Sequence, residues 1–155
     1  MAQGEEERRR YWGRTEQVVG ALIEVHRHLG PGLLESAYET CTCRELTLRG
    51  LAFERQRPLP LLYKGVQVDC GYRVDLVVEG CILVELKTVE HLQPIHLAQT
   101  ITYLRLSAIP VGLVVTFNVR ALKHGIRRLW LSRLPSSSPS LPVPPLLRSD
   151  DDPGL

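Results

Sequence analysis

Long hydrophobic runs are missing from this chain of 155 residues; Val111-Gly112-Leu113-Val114-Val115 is among the longest, far short of the ~20 residues a membrane-spanning helix requires. The opening stretch, Met1 to Arg10, is charged and has no apolar segment resembling a secretion signal. A soluble, cytoplasmic protein is therefore expected, with no membrane partner. None of the four cysteines, Cys41, Cys43, Cys70 and Cys81, forms a Cys-x-x-Cys pair. Cys41 and Cys43 would point about 200° apart on a helix, which disfavours zinc and leaves reduced thiols. There is no Gly-x-Ser-x-Gly elbow, Walker loop or dinucleotide fingerprint, so serine hydrolases and nucleotide motors have no foothold. Gly30-Pro31-Gly32 is glycine-rich, but it follows a helical pattern and Pro31 lacks the N–H of a phosphate cradle. It reads as a helix–helix turn. Internal repeats are absent too, and neither sign of charge dominates, with 19 basic and 17 acidic residues. Between residues 11 and 134 the balance is 15 basic to 11 acidic, mildly basic and compatible with a polyanionic partner.

What is present is globular composition, 44% hydrophobic and 23% charged, at a length suited to one domain. A charged flexible leader is expected over 1–12, one folded domain over 13–133, and a Pro/Ser-rich disordered tail over 134–155. Val18, Leu22, Val25 and Leu29 repeat at helical spacing, and Gly30-Pro31 stops that helix. A second helix is expected from about Leu33 to Arg49. The period then changes to two, predicting strands at Leu59–Tyr63, Val66–Val68, Tyr72–Val78 and Cys81–Leu86. Pro94 opens a helix to about Leu106. Val111–Phe117 reads as a strand buried on both faces, and Ile126–Leu131 as a last short one. The order predicts an α/β domain with a mixed sheet.

The strongest chemical signal lies in the hairpin from Tyr72 to Lys87. Arg73 and Asp75 alternate with aliphatic residues on its first strand, and Glu85 and Lys87 do so on its second. The charged faces coincide only if the loop has an odd length, because a one-residue slip flips every side chain. A three-residue loop, Val78-Glu79-Gly80 with Gly80 left-handed, would pair Val77 with Cys81 and Asp75 with Leu83. Glu85 would then lie diagonal to Asp75, about 7–8 Å away between α-carbons. The plain alternative is an outer sheet face where Arg73, Asp75, Glu85 and Lys87 merely form ion pairs worth little. Val77, Cys81 and Leu83 on the same face argue for partial burial, where charges need a metal or polar partner.

Asp75, nine further residues, then Glu85-Leu86-Lys87 resembles the Asp…Glu-x-Lys signature of the PD-(D/E)XK nuclease superfamily. Gly32-Leu33-Leu34-Glu35-Ser36-Ala37-Tyr38 is similar to the motif that names the GxxExxY family within it. Tyr63-Lys64-Gly65, Arg73-Val74-Asp75-Leu76, Ala98-Gln99 with Tyr103, and Gly125-Ile126-Arg127-Arg128 extend that likeness from about Thr15 to Leu131. Val74 stands where the superfamily name has proline. The resemblance implies a restriction-endonuclease-like core, α-β-β-β-α-β with a mixed sheet flanked by helices, plus an extra N-terminal helix. It implies Glu35, Asp75 and Glu85 as ligands of Mg²⁺, with Mn²⁺ as substitute, and Lys87 as the catalytic lysine. Gln99 would join the catalytic set, while Tyr38, Arg73, His96 and Tyr103 would bind substrate or support the site.

Oxygen-only ligands suit Mg²⁺, and positions 96, 99 and 103 share one helical face. Simpler readings accompany several of these residues. Tyr103 could be core, His96 a satisfied histidine, and Glu35 a first-turn acid favoured by the helix dipole. His26 and His28, two apart on a helix, are expected in solvent. The implied function is a Mg²⁺-dependent nuclease hydrolysing phosphodiester bonds, with DNA favoured over RNA by superfamily analogy. The alternative is a non-catalytic nucleic-acid-binding or scaffold module that keeps the fold. Small size argues for dependence on a protein partner, a homodimer or a narrow substrate.

Overall fold

The structure, a computed structural model, describes residues 2–69 and 71–131. Its elements run α1 (Ala2–Leu29), α2 (Glu35–Leu48), β1 (Phe53–Pro58), β2 (Leu61–Tyr63), β3 (Val66–Val68), β4 (Arg73–Val78), β5 (Ile82–Lys87), α3 (Pro94–Ser107), β6 (Val111–Thr116), a single 3-10 turn (Leu122–His124) and β7 (Ile126–Trp130). Five strands form one mixed sheet in the order β1-β4-β5-β6-β7, and β2 and β3 form a separate hairpin. Among the described strands only β5 and β6 run parallel, with α3 as the crossover between them.

Two apolar clusters divide the molecule into three layers. Leu22 and Val25 of α1, with Tyr38 and Leu46 of α2, pack on Leu76, Val84, Leu86 and Leu113. On the opposite face Ile101 and Leu104 of α3 meet Val77, Leu83 and Val114. Strand β6 feeds both clusters and is buried throughout, as its unbroken apolar run predicts. Gly112 permits the close seat of α3: a Cβ there would lie 3.1 Å from Leu104 and 3.2 Å from Thr100.

Three features depart from the sequence expectation. The segment expected as a flexible leader over 1–12 belongs to α1, which is helical from Ala2. Glu5–Arg9 and Glu6–Arg10 have the four-residue spacing that supports a helix. Tyr11 and Trp12 anchor it on Trp130 at ring separations of 5.7 and 6.4 Å. Strand β1, Phe-Glu-Arg-Gln-Arg-Pro, was not expected, because its charges mask any alternation. It is an edge strand, where exposed charge and a terminal proline are tolerated. His26 is buried, not solvated, and its Nε2 lies 2.8 Å from the Val119 carbonyl oxygen. The expected tail over 134–155 lies outside the described residues. Among those described, no helix is long and apolar enough to cross a membrane.

Candidate active site

The hairpin of β4 and β5 has the odd loop that the charge pattern requires, with its register moved one pair beyond expectation. Leu76 pairs with Val84, Val77 with Leu83 and Val78 with Ile82, leaving Glu79-Gly80-Cys81 as the loop. Glu79 and Gly80 are both left-handed, at φ 53° and 64°, and the Cys81 N–H closes the turn on the Val78 carbonyl at 3.1 Å. Cys81 therefore packs with the α1–α2 cluster and not beside Leu83. Continuing the register sets Asp75 directly opposite Glu85, closer than the diagonal placement expected. Here the carboxylates replace the backbone ladder: Leu86 N–H donates to Asp75 Oδ2 at 2.8 Å, and Asp75 N–H donates to Glu85 Oε1 at 3.2 Å.

These two carboxylates turn in between β4 and β5, and Asp75 is reached there by Gln56 of β1 as well. Glu85 is 4% exposed. Burial first, then the charge of Asp75, pushes its carboxyl up to about 8, opposed by the Asp75 N–H and by Lys87. Burial also raises Asp75, against hydrogen bonds from Leu86 and Gln56 that lower it. Glu35 opens α2 and is exposed, yet partial desolvation and then Asp75 raise its carboxyl, while Lys87 lowers it. The first turn of α2 is held to this end of the sheet by Tyr38, whose ring stacks on Phe117 at 4.2 Å. Phe117 in turn donates its N–H to the Lys87 carbonyl at 3.0 Å.

Lys87 connects this pair of acids to α3. Its Nζ donates to Gln99 Oε1 at 3.5 Å, and Gln99 Nε2 donates to the Tyr103 hydroxyl oxygen at 3.1 Å. The lysine thus sets which way the amide points, and the phenol keeps its own proton to donate. Tyr103 is 6% exposed and also packs in the α3 cluster, so it combines the core and site readings. Burial and Glu85 together push its phenol up. Tyr72 lies beside it, rings 6.1 Å apart.

The remaining expected residues take other places. Tyr38 is fully buried; its hydroxyl donates to the Gly30 carbonyl and accepts the Leu33 N–H. It braces the turn before Glu35 and has no surface for substrate. His96 forms a reciprocal cap with Gln93, whose N–H donates to His96 Nδ1 at 2.9 Å. Arg73 is exposed at the rim, its guanidinium 3.4 Å from the Gln56 carbonyl oxygen.

Residues beyond the expected set complete the site. Gln56 Nε2 donates to both Glu39 Oε1 and Asp75 Oδ1, the latter at 3.2 Å. Glu39 is itself buried and meets Arg55 at 3.1 Å. Glu39 lies four residues after Glu35, a spacing that signals a shared helical face; Gln56 was hidden with β1.

The oxygen-donor chemistry fits a hard divalent cation. Asp75 and Glu85 are two facing carboxyls whose burial and mutual repulsion call for positive charge, and Glu35 stands in electrostatic reach of Asp75. Among the described residues, however, no three His, Cys, Asp or Glu side chains converge in metal-holding geometry. No curated protein and no solved structure gives a significant match to this chain. Residues 13–129 match the family model of the PD-(D/E)XK nuclease superfamily, and with an αβα fold that sets Asp75 against Glu85 and leads on to Lys87, the chain belongs to that superfamily.

Proposed function

We propose that the protein is a divalent-metal-dependent nuclease that hydrolyses phosphodiester bonds, with DNA as the first substrate to test. The observation that carries this reading is the pairing of Asp75 with Glu85 beside Lys87, on a face capped by Gln99 and Tyr103. Asp75 and Glu85 would hold Mg²⁺ or Mn²⁺, with Glu35 as the third acid. The cation supplies Lewis acidity, polarising a phosphoryl oxygen and making water a stronger nucleophile. Lys87 then donates to a phosphate oxygen and stabilises developing charge, its direction set by Gln99. Tyr103 offers its hydroxyl proton to the same face. Gln56 bridges Asp75 and Glu39 and offsets their repulsion by donating to both. The likeness to the GxxExxY family supports the same assignment of Glu35.

Purified protein incubated with single-stranded DNA, duplex DNA and RNA tests the proposal. Cleavage is expected with Mg²⁺ or Mn²⁺, none with EDTA, and a loss of roughly 100- to 1000-fold in Lys87→Ala. A second reading, a binding or scaffold module that keeps the fold without turnover, goes with the finding that no three such side chains converge among the described residues. Strand binding without metal-dependent cleavage would establish it.

A further inference from the structure

Beyond Lys87 the parallel strands β5 and β6 part. Lys87 is paired with Thr116 at the end of their ladder. The chain after β5 passes to α3 on one face, while the chain after β6 sends Leu122 into the cluster of α1 on the other. Divergent exits at the carboxyl ends of parallel strands create a crevice that takes ligands. Here the crevice is a cavity of about 700 Å³, lined by His91, Thr116, Asn118, Arg120, His124 and Arg127 among others. None of the paired acids lines it. A second cavity of about 480 Å³ shares Pro31 and Arg120 with the first and adds Arg27 and Lys123. The two linings contain four Arg or Lys side chains and one carboxylate, Glu90, and Arg27 is also ion-paired with Glu24 at 3.5 Å.

The platform carrying these cations is clamped. Thr116 N–H donates to the Gly125 carbonyl at 2.8 Å. A Cβ at Gly125 would fall on the Thr116 carbonyl oxygen and lie 3.0 Å from Val119. His26 holds the Val119 carbonyl from α1. Arg120, Lys123 and Arg127 are exposed on this platform, so binding a polyanion there orders side chains and not the loop.

We propose that this basic track seats the sugar–phosphate backbone of a nucleic-acid strand, leading from Lys87 past the end of β6 to α1. It rests on the nuclease reading only for the direction in which the strand enters. Binding is measured by fluorescence anisotropy in EDTA, where no metal-dependent cleavage intervenes, with labelled single-stranded DNA, duplex DNA and RNA across a salt series. Arg120→Glu/Lys123→Glu is compared with Arg10→Glu/Arg44→Glu, an equal charge change on exposed helix positions. The track variant should bind at least ~10-fold more weakly, with a log–log salt slope shallower by about 1.5, from two lost phosphate contacts. The control should keep the wild-type slope. Arg120→Gln, a milder change should the double variant fold poorly, should lose about half as much slope.

Equal binding by track variant and control would overturn the proposal, as would wild type that binds no strand in EDTA. Equally tight binding of poly-glutamate would assign the track to acidic protein instead. Weakened binding in the track variant beside a wild type that cuts nothing in Mg²⁺ keeps the track and removes the nuclease. Unimpaired cleavage by the track variant does the reverse.

Discussion

Glu85 is costly to bury as a charge, and its carboxyl at about 8 makes stability depend on pH. The folded state holds a proton that the unfolded chain, near 4.5, has already lost. Stability is therefore fully present below about 4.5 and falls as pH rises toward about 8. Asp75 and Glu35 are raised as well and act in the same direction. In EDTA, denaturant melts of wild type should show this decline, whereas Glu85→Gln should flatten it and be no less stable near neutral pH. A Glu85→Gln variant melting well below wild type in EDTA would mark Glu85 as a structural ion-pair partner. Gln56 permits a separate check. Replacing it with Ala leaves Glu39 and Asp75 without their shared donor, a loss of about 1–3 kcal/mol. Chemical denaturation of Gln56→Ala should read that loss.

Gly112 links sheet and helix at the scale of elements. The helix α3 carries Gln99 and Tyr103, and its seat on β6 brings Leu104 and Thr100 within 3.2 Å of where a side chain at Gly112 would begin. Gly112→Ala should push on Leu104 and Thr100 and cost about 1–3 kcal/mol through overpacking. The same displacement should weaken the Lys87–Gln99 contact, so cleavage should fall further than stability. Full activity with a normal melting temperature would show that α3 tolerates the methyl group without moving. The turn between α1 and α2 works in a similar way. Tyr38 is spent on Gly30 and Leu33, so it places Glu35 without touching substrate.

For the whole molecule, metal binding should register as stability. Mg²⁺ that binds only the folded state adds about 1.4 kcal/mol when free metal is ten times Kd. That is a rise of roughly 3–6 °C in Tm for a domain of this size. Thermal melts across Mg²⁺ and Mn²⁺ at constant ionic strength should show it in wild type. Glu79→Gln, at the hairpin turn, should retain the rise and Glu85→Gln should lose most of it. Truncation after Arg133 should leave Tm and activity unchanged, because Leu129 and Leu131 already close the α3 cluster and the family match ends at residue 129. A clearly lowered Tm would show that the removed segment contributes to the fold.

The Asp75…Glu85-Leu86-Lys87 spacing was readable in the sequence because strand alternation and loop parity are local properties, decided by neighbours along the chain. The same is true of the break at Gly30-Pro31, of Pro94 as a helix start, and of β6 as a strand buried on both faces. The sequence alone thus determined the α/β order and which acids could share a face. Strand β1 was not readable, since an edge strand can carry charge where the inner strands rarely do, and Gln56 went unseen with it. Nor could alternation choose between Asp75 diagonal to Glu85 and Asp75 opposite it, because both registers have the same parity. Only the tertiary structure decided that register, the spending of Tyr38 and His96 on the backbone, and the meeting of β5, β6 and α1 that forms the basic crevice. Each of these depends on groups far apart in the chain, and their proximity is set by how the layers pack.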